Sequence, residues 1–329
     1  MKKFLKENII YIIVICLVVA LNYIHLPYYI DTPGGTIDIS DRIELQDEEV
    51  EVNGSLNMLY VSEYIATIPT YLLSFIMKDW DLQSISESQI SNESTDDIYA
   101  RGRVMLDNSL DNAMYVAYTK AGRDISIKSY QNVVVACLFD NELKIGDEIL
   151  EVDGQKIENV TELKQIISNT EIDDELVVKV LRDEKEKEIK VKVKVKEEDG
   201  NKVIGVVVVT NYDFDVDPKI EINFKSSESG SSGGLMMALS IYNAISDDDI
   251  MKGRNIAGTG TISMDGSVGE IDGIKYKIIG AVHNKMDLVL VPRDNYEEAL
   301  EVKKEKKYDI DIVPVDTFDD AVEYLENSK

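Results

Sequence analysis

The first thirty positions are apolar and free of charge for most of their length. No residue from Asn8 to Ile30 carries a formal charge, Lys2, Lys3 and Lys6 come before, and Asp31 follows. At 1.5 Å per residue a helix of that length crosses the ~30 Å hydrocarbon core of a bilayer. The pattern therefore predicts a cytoplasmic N-terminus and transmembrane anchor over residues 1–30, with Tyr23, Tyr28 and Tyr29 in an interfacial belt. The lysines set its orientation, with everything after it outside the cytoplasm. The competing reading is a signal peptide cleaved near Val18-Val19-Ala20. TPGG at 32–35 reads as the turn that closes the segment.

Beyond it the pattern changes three times. Residues 36–122 hold strand-like runs, SLNMLYVSEYIA (55–66) being the clearest, then the polar stretch 81–97, which reads as an exposed loop. Leu106, Leu110, Ala113, Met114 and Ala117 then share one helical face, and Gly122 is a good C-cap. In the block 125–200 short strands surround a helix near 159–168. Its KVKVKVK run sets Lys190, Lys192, Lys194 and Lys196 opposite Ile189, Val191, Val193 and Val195, as a strand with one solvated face. The block 203–327 alternates strands with helices, and its helix LMMALSIYNAI is apolar on nearly every side. The sum predicts an α+β fold with a mixed sheet.

Composition narrows the partners. A formal net charge of −27 excludes a nucleic-acid-binding role, since few groups would neutralise phosphates. Two cysteines, Cys16 and Cys137, do not suggest a disulfide framework. The two histidines, His25 and His283, are far apart, and no CxxC or HExxH occurs, so neither a metal nor a cofactor is expected.

Candidate chemistry lies in the Ser/Gly run before the apolar helix. Gly230-Ser231-Ser232-Gly233-Gly234 satisfies G-x-S-x-G between a strand and a helix, as in the nucleophile elbow of α/β-hydrolases. An esterase of that kind would need His283 as its base, and His283 falls inside a predicted helix. Lysine is the alternative base once burial depresses its pKa. Lys275 shares a helical face with Ile278, Ile279 and Val282, whereas Lys277 aligns with Gly280, Ala281 and Asn284, so periodicity favours Lys275. Asp272, close by, would favour the charged ammonium.

In these residues the chain resembles the Lon-type Ser/Lys proteases. Gly230-Ser231-Ser232-Gly233-Gly234-Leu235-Met236 is similar to the family's G-P-S-A-G loop, and Gly258-Thr259-Gly260-Thr261-Ile262 followed by GSVGEIDGIKYK to its TGTI…GGIKxK segment. The resemblance implies Ser232 as nucleophile, Lys275 as general base, and Thr259 as the threonine that contacts the lysine. It also makes Gly230, Ser231, Gly233 and Gly234 the loop that shapes the oxyanion site. Ser231 and Gly233 stand where the family has Pro and Ala, which predicts a more flexible loop.

The block 125–200, with its KIGDEILEVDGQKI core, resembles a bacterial PDZ domain whose peptide groove would run along Asn132, Val133, Val134 and Val135. Anchor, PDZ and protease together resemble the membrane-anchored, PDZ-containing Lon-like proteases of Gram-positive bacteria. That resemblance implies a protease fold over 36–122 and 203–327, interrupted by the PDZ domain. It implies peptide or protein substrates outside the cytoplasm and a membrane as partner, and it leaves open whether the chain forms a homo-oligomer as larger Lon proteins do. The chain contains no GxxxxGK[ST], so the implied activity is ATP-independent, with no cofactor. A PDZ scaffold without catalysis is the other reading.

Overall fold

A computed structural model describes residues 8–46, 53–88, 93–139, 141–196 and 200–328. The N-terminal helix is shorter than expected. It runs Ile9–Leu21, none of its 13 residues is buried, and at 1.5 Å per residue it reaches about 20 Å. Among the described residues no helix is long and apolar enough to cross a membrane. The apolar run does not continue as helix because Pro27 lacks the N–H that a helix interior needs. Instead His25–Asp38 is a strand, so Tyr29 and Ile30, placed by the sequence at a lipid interface, are buried in a sheet. Tyr, Ile and Thr suit both environments, and apolar counting does not separate them. TPGG closes nothing: it lies inside that strand, at a register shift between Pro33 and Thr36.

Six strands form the main sheet, in the order Asp311–Val315, Leu288–Pro292, Asn255–Gly258, Ser55–Thr67, His25–Asp38, Asp81–Ser84. The first four pair in parallel and the last two antiparallel, giving the mixed sheet that the alternation implied. Asp81–Ser84 belongs to the stretch expected as an exposed loop, and that stretch also contains the start of the long helix Thr95–Ala121. This helix begins 11 residues before the apolar face at Leu106 because a capping box fixes its start. Ser94 Oγ accepts from Asp97 N, and the Asp97 carboxylate accepts from Ser94 N. Against one face of the sheet pack the long helix and the buried helix Gly234–Ile245, around Leu56, Leu106, Leu235 and Met236. The helix Ile274–His283 builds a second core with Leu59, Val289 and Val291 on the other face.

A separate antiparallel sheet runs Val206–Asp217, Asp124–Cys137, Glu148–Val152, Glu175–Arg182, Lys185–Lys192, around its own core of Val134, Ile149, Leu163 and Val178. Val206–Asp217, grouped by the sequence with the protease block, pairs with Asp124–Cys137 from Val206↔Cys137 to Asp217↔Asp124. The sheet therefore closes at residue 217, not at 200, and both its first and its last strand run directly into the surrounding domain.

Candidate active site

The Ser/Gly run is held at every turn. Glu228 forms a two-pronged ion pair with Arg42, at 2.6 and 2.9 Å, and also accepts the Lys225 N–H. Gly230 N donates to Gly102 O (2.8 Å), Ser109 Oγ to Ser231 O (3.0 Å) and Gly260 N to Ser232 O (2.8 Å). Gly230 takes φ +91°, which L side chains rarely adopt. At Gly233 a Cβ would sit 2.1 Å from Met58 Sδ. The glycine in place of alanine thus accommodates Met58, and the expected flexibility is absent: the loop is pinned by partners from several distant parts of the chain.

Helix Gly234–Ile245 starts on this loop with ten buried positions, including Leu235–Ile241. Its N-terminus therefore cannot shift without opening the core, and Ser232 sits two residues before its first turn.

Of the two lysines, the buried one is Lys277. It is 3% exposed, and its Nζ donates to Thr259 Oγ1 at 3.0 Å. Thr259 is fully buried, and its hydroxyl donates in turn to Ser232 O at 3.0 Å. Burial pushes the Lys277 ammonium down to about 8, with Asp272 pulling the other way. Asp272 is exposed, which limits that pull. Lys275 does not contact Thr259. It lies at the rim, in a 2.5 Å ion pair with Asp81, which also accepts the Tyr276 hydroxyl at 2.6 Å. Periodicity misassigned the pair because it weighs apolar bulk. The small-residue face of this helix packs closely on backbone, where a Cβ on Gly280 would lie 3.2 Å from Gly34 O. Lys277 shares that face.

Ser232 lies between two clefts. One, of about 860 Å³, contains Ser232, Lys277, Thr261 and Asp272; the other, of about 530 Å³, contains Ser232, Gly233, Met58 and Leu106. His283 is exposed at the C-terminal end of its helix and lines neither, so the Ser/His esterase has no base here.

The expected peptide groove also moves. Asp124–Cys137 is paired on both edges, so Asn132, Val133, Val134 and Val135 cannot receive an added strand. Val134 is in the core, and Asn132 is buried, donating to Ile157 O and accepting from the Thr210 hydroxyl. The edge strands are Val206–Asp217 and Lys185–Lys192, and the first of these borders an apolar groove. Between its first residues and helix Val160–Asn169 runs a groove of about 510 Å³ lined by Val160, Leu163, Ile167, Ile204, Val206 and Val208.

Comparison with known proteins finds two family matches along the chain. Residues 224–326 match the Lon protease (S16) C-terminal proteolytic domain and residues 131–193 match a PDZ domain. Lon protease 2 of Borreliella burgdorferi is 29% identical over 100 residues, 30% of this chain and 12% of that protein. Lon protease of Mesomycoplasma hyopneumoniae is 31% identical over 100 residues, 30% of this chain and 11% of that protein. The chain spans about a tenth of the length of these curated relatives. Among solved structures, the PDZ domain of an SdrC-like protein from Listeria monocytogenes aligns at 20% identity and a TM-score of 0.23, covering 26% of this chain and 93% of its own. The corresponding domain from Listeria innocua aligns at 24% identity and a TM-score of 0.23, covering 24% of this chain and 92% of its own.

Proposed function

We propose that the chain is an ATP-independent serine endopeptidase in which Ser232 is the nucleophile and Lys277, not Lys275, the general base. The observation that carries this reading is the hydrogen-bonded line from Lys277 Nζ through the Thr259 hydroxyl to the Ser232 carbonyl. It ties a buried lysine to the serine two residues before the buried helix. Neutral Lys277 takes the Ser232 Oγ proton as the oxygen attacks the scissile carbonyl, and returns it to the leaving amine. Water then hydrolyses the acyl-enzyme by the same route. Thr259 keeps the lysine aimed, and backbone N–H groups of the loop face the developing oxyanion.

The PDZ domain recruits or gates substrate by taking an extended segment as an added strand along Val206–Val208. The exposed apolar helix Ile9–Leu21, preceded by Lys2, Lys3 and Lys6, associates with the surface of a bilayer.

Cleavage of a casein-derived peptide library by the full chain in detergent tests the catalytic assignment. Ser232→Ala and Lys277→Ala are expected to abolish cleavage, with Lys275→Ala retaining it within a few-fold. Full activity of Lys277→Ala would overturn the assignment, and the absence of any wild-type cleavage would favour the scaffold.

A further inference from the structure

We infer that Ser109, on the long helix Thr95–Ala121, is a positioning residue that aims the oxyanion donors of the nucleophile loop; this rests on Ser232 being the nucleophile. A trans peptide unit is planar, so its C=O and the following N–H point in opposite directions. The Ser231 carbonyl accepts from Ser109 Oγ at 3.0 Å and from Gly234 N at 3.2 Å. The Ser232 carbonyl accepts from Gly260 N at 2.8 Å and Thr259 Oγ1 at 3.0 Å. Two successive carbonyls are thereby fixed toward the protein interior, and the N–H groups of Ser232 and Gly233 are turned away from it. Both residues line the 530 Å³ cleft.

Three of those four donors come from the loop's own helix or from the segment around Thr259. Ser109 is the exception, reaching the loop from 122 residues earlier in the chain. A serine inside a helix ordinarily donates to the carbonyl four residues back or points to solvent. Ser109 is 2% exposed and donates to the loop instead. The contact is closed from the other side as well, since a Cβ on Gly234 would come within 2.6 Å of Ser109 Oγ. The same helix anchors the loop one step earlier, through Gly102 O and Gly230 N. Without the Ser109 hydroxyl, the Ser231–Ser232 peptide keeps only the longer bond from Gly234 and is free to rotate its N–H out of the cleft. Loss of one oxyanion donor lowers kcat by about 10²–10³-fold, and partial misalignment by less.

Ser109→Ala in the full chain, assayed on the best-cleaved fluorogenic peptide of the casein-derived library, is expected to lose about 10–100-fold in kcat with KM within two-fold. A peptide aldehyde of the same sequence, whose adduct carries the oxyanion, should weaken in parallel with kcat. The midpoint of the pH–rate profile should not move, because Lys277 keeps its surroundings. Wild-type kcat, or a loss confined to KM, would overturn the inference. Should Ser109→Ala fail to fold, Ser109→Cys fills the same space with a weaker donor and is judged by the same kcat and KM criteria. Full activity of Ser232→Ala would instead remove the reading on which the inference stands, whereas an inactive Ser232→Ala beside a fully active Ser109→Ala would remove only the inference.

Discussion

Two lysines two positions apart in the same helical turn have opposite surroundings, and the difference decides their chemistry. With its pKa near 8, Lys277 is neutral in about one molecule in ten at pH 7, so kcat/KM should rise with pH through a midpoint near 8 and level off above 9. A pH–rate profile on a neutral peptide checks this. The same shift has a stability consequence. The folded pKa lies below the unfolded value of 10.5, so the favourable contribution of neutral Lys277 is complete above 10.5 and is lost as pH falls toward 8. Lys277→Met should therefore be inactive yet at least as stable as wild type at pH 7, by up to about 2–3 kcal/mol, with the gap closing by pH 10. Calorimetry at the two pH values reads it. Among the residues proposed for the site, Ser232 and Thr259 were legible in the sequence, since each lies in a motif of its own. The lysine was not. Choosing between Lys275 and Lys277 requires knowing that Gly280 faces Gly34, an approach between segments far apart in the chain.

At the scale of elements, the nucleophile loop shows that a glycine-rich composition can mark close packing as readily as freedom. Gly233→Ala restores the residue of the resembled family, yet its Cβ meets Met58 Sδ. It should destabilise the protein by about 1–3 kcal/mol. Combined with Met58→Val it should cost clearly less than the sum of the two single changes, measured by denaturant titration. Legibility divides along similar lines. The buried helix Gly234–Ile245 was readable because burial on nearly all sides leaves an almost unbroken apolar run. The strand His25–Asp38 was not, because β-sheet interior and lipid select the same residues and only Pro27 signalled the difference. The peptide groove was missed for another reason. Which strand has a free edge depends on sheet order, and the order puts Val206–Asp217 at the end although it is last in sequence.

For the whole molecule, the long helix Thr95–Ala121 is the meeting point of both domains. Asn108 Nδ2 donates to Thr210 O and Asp111 accepts the Tyr212 N–H, both at 2.8 Å, so the edge strand Val206–Asp217 is hydrogen-bonded to the long helix. Burial pushes the Asp111 carboxyl up to about 7, with Asp107 and Asp213 adding to the rise and the Tyr212 N–H opposing it. A folded pKa above the unfolded 3.8 gives a contribution that is full below pH ~4 and disappears as pH rises through 7. Asp111→Asn keeps the acceptor without the charge. Its stability, read by thermal melting, should match wild type below pH ~4 and exceed it at pH 8, by an amount on the order of 2–4 kcal/mol. The terminal rung Asp217↔Asp124 has a further consequence for how the chain finds its fold. Strands Ser55–Thr67 and Asn255–Gly258 must pair in parallel although Ser55 and Asn255 are 200 positions apart, a separation that slows folding. Once the PDZ sheet has closed, its entry and exit stand side by side. The chain between them then behaves as a hairpin-length bridge, and the entropic cost of joining the two halves of the main sheet falls accordingly.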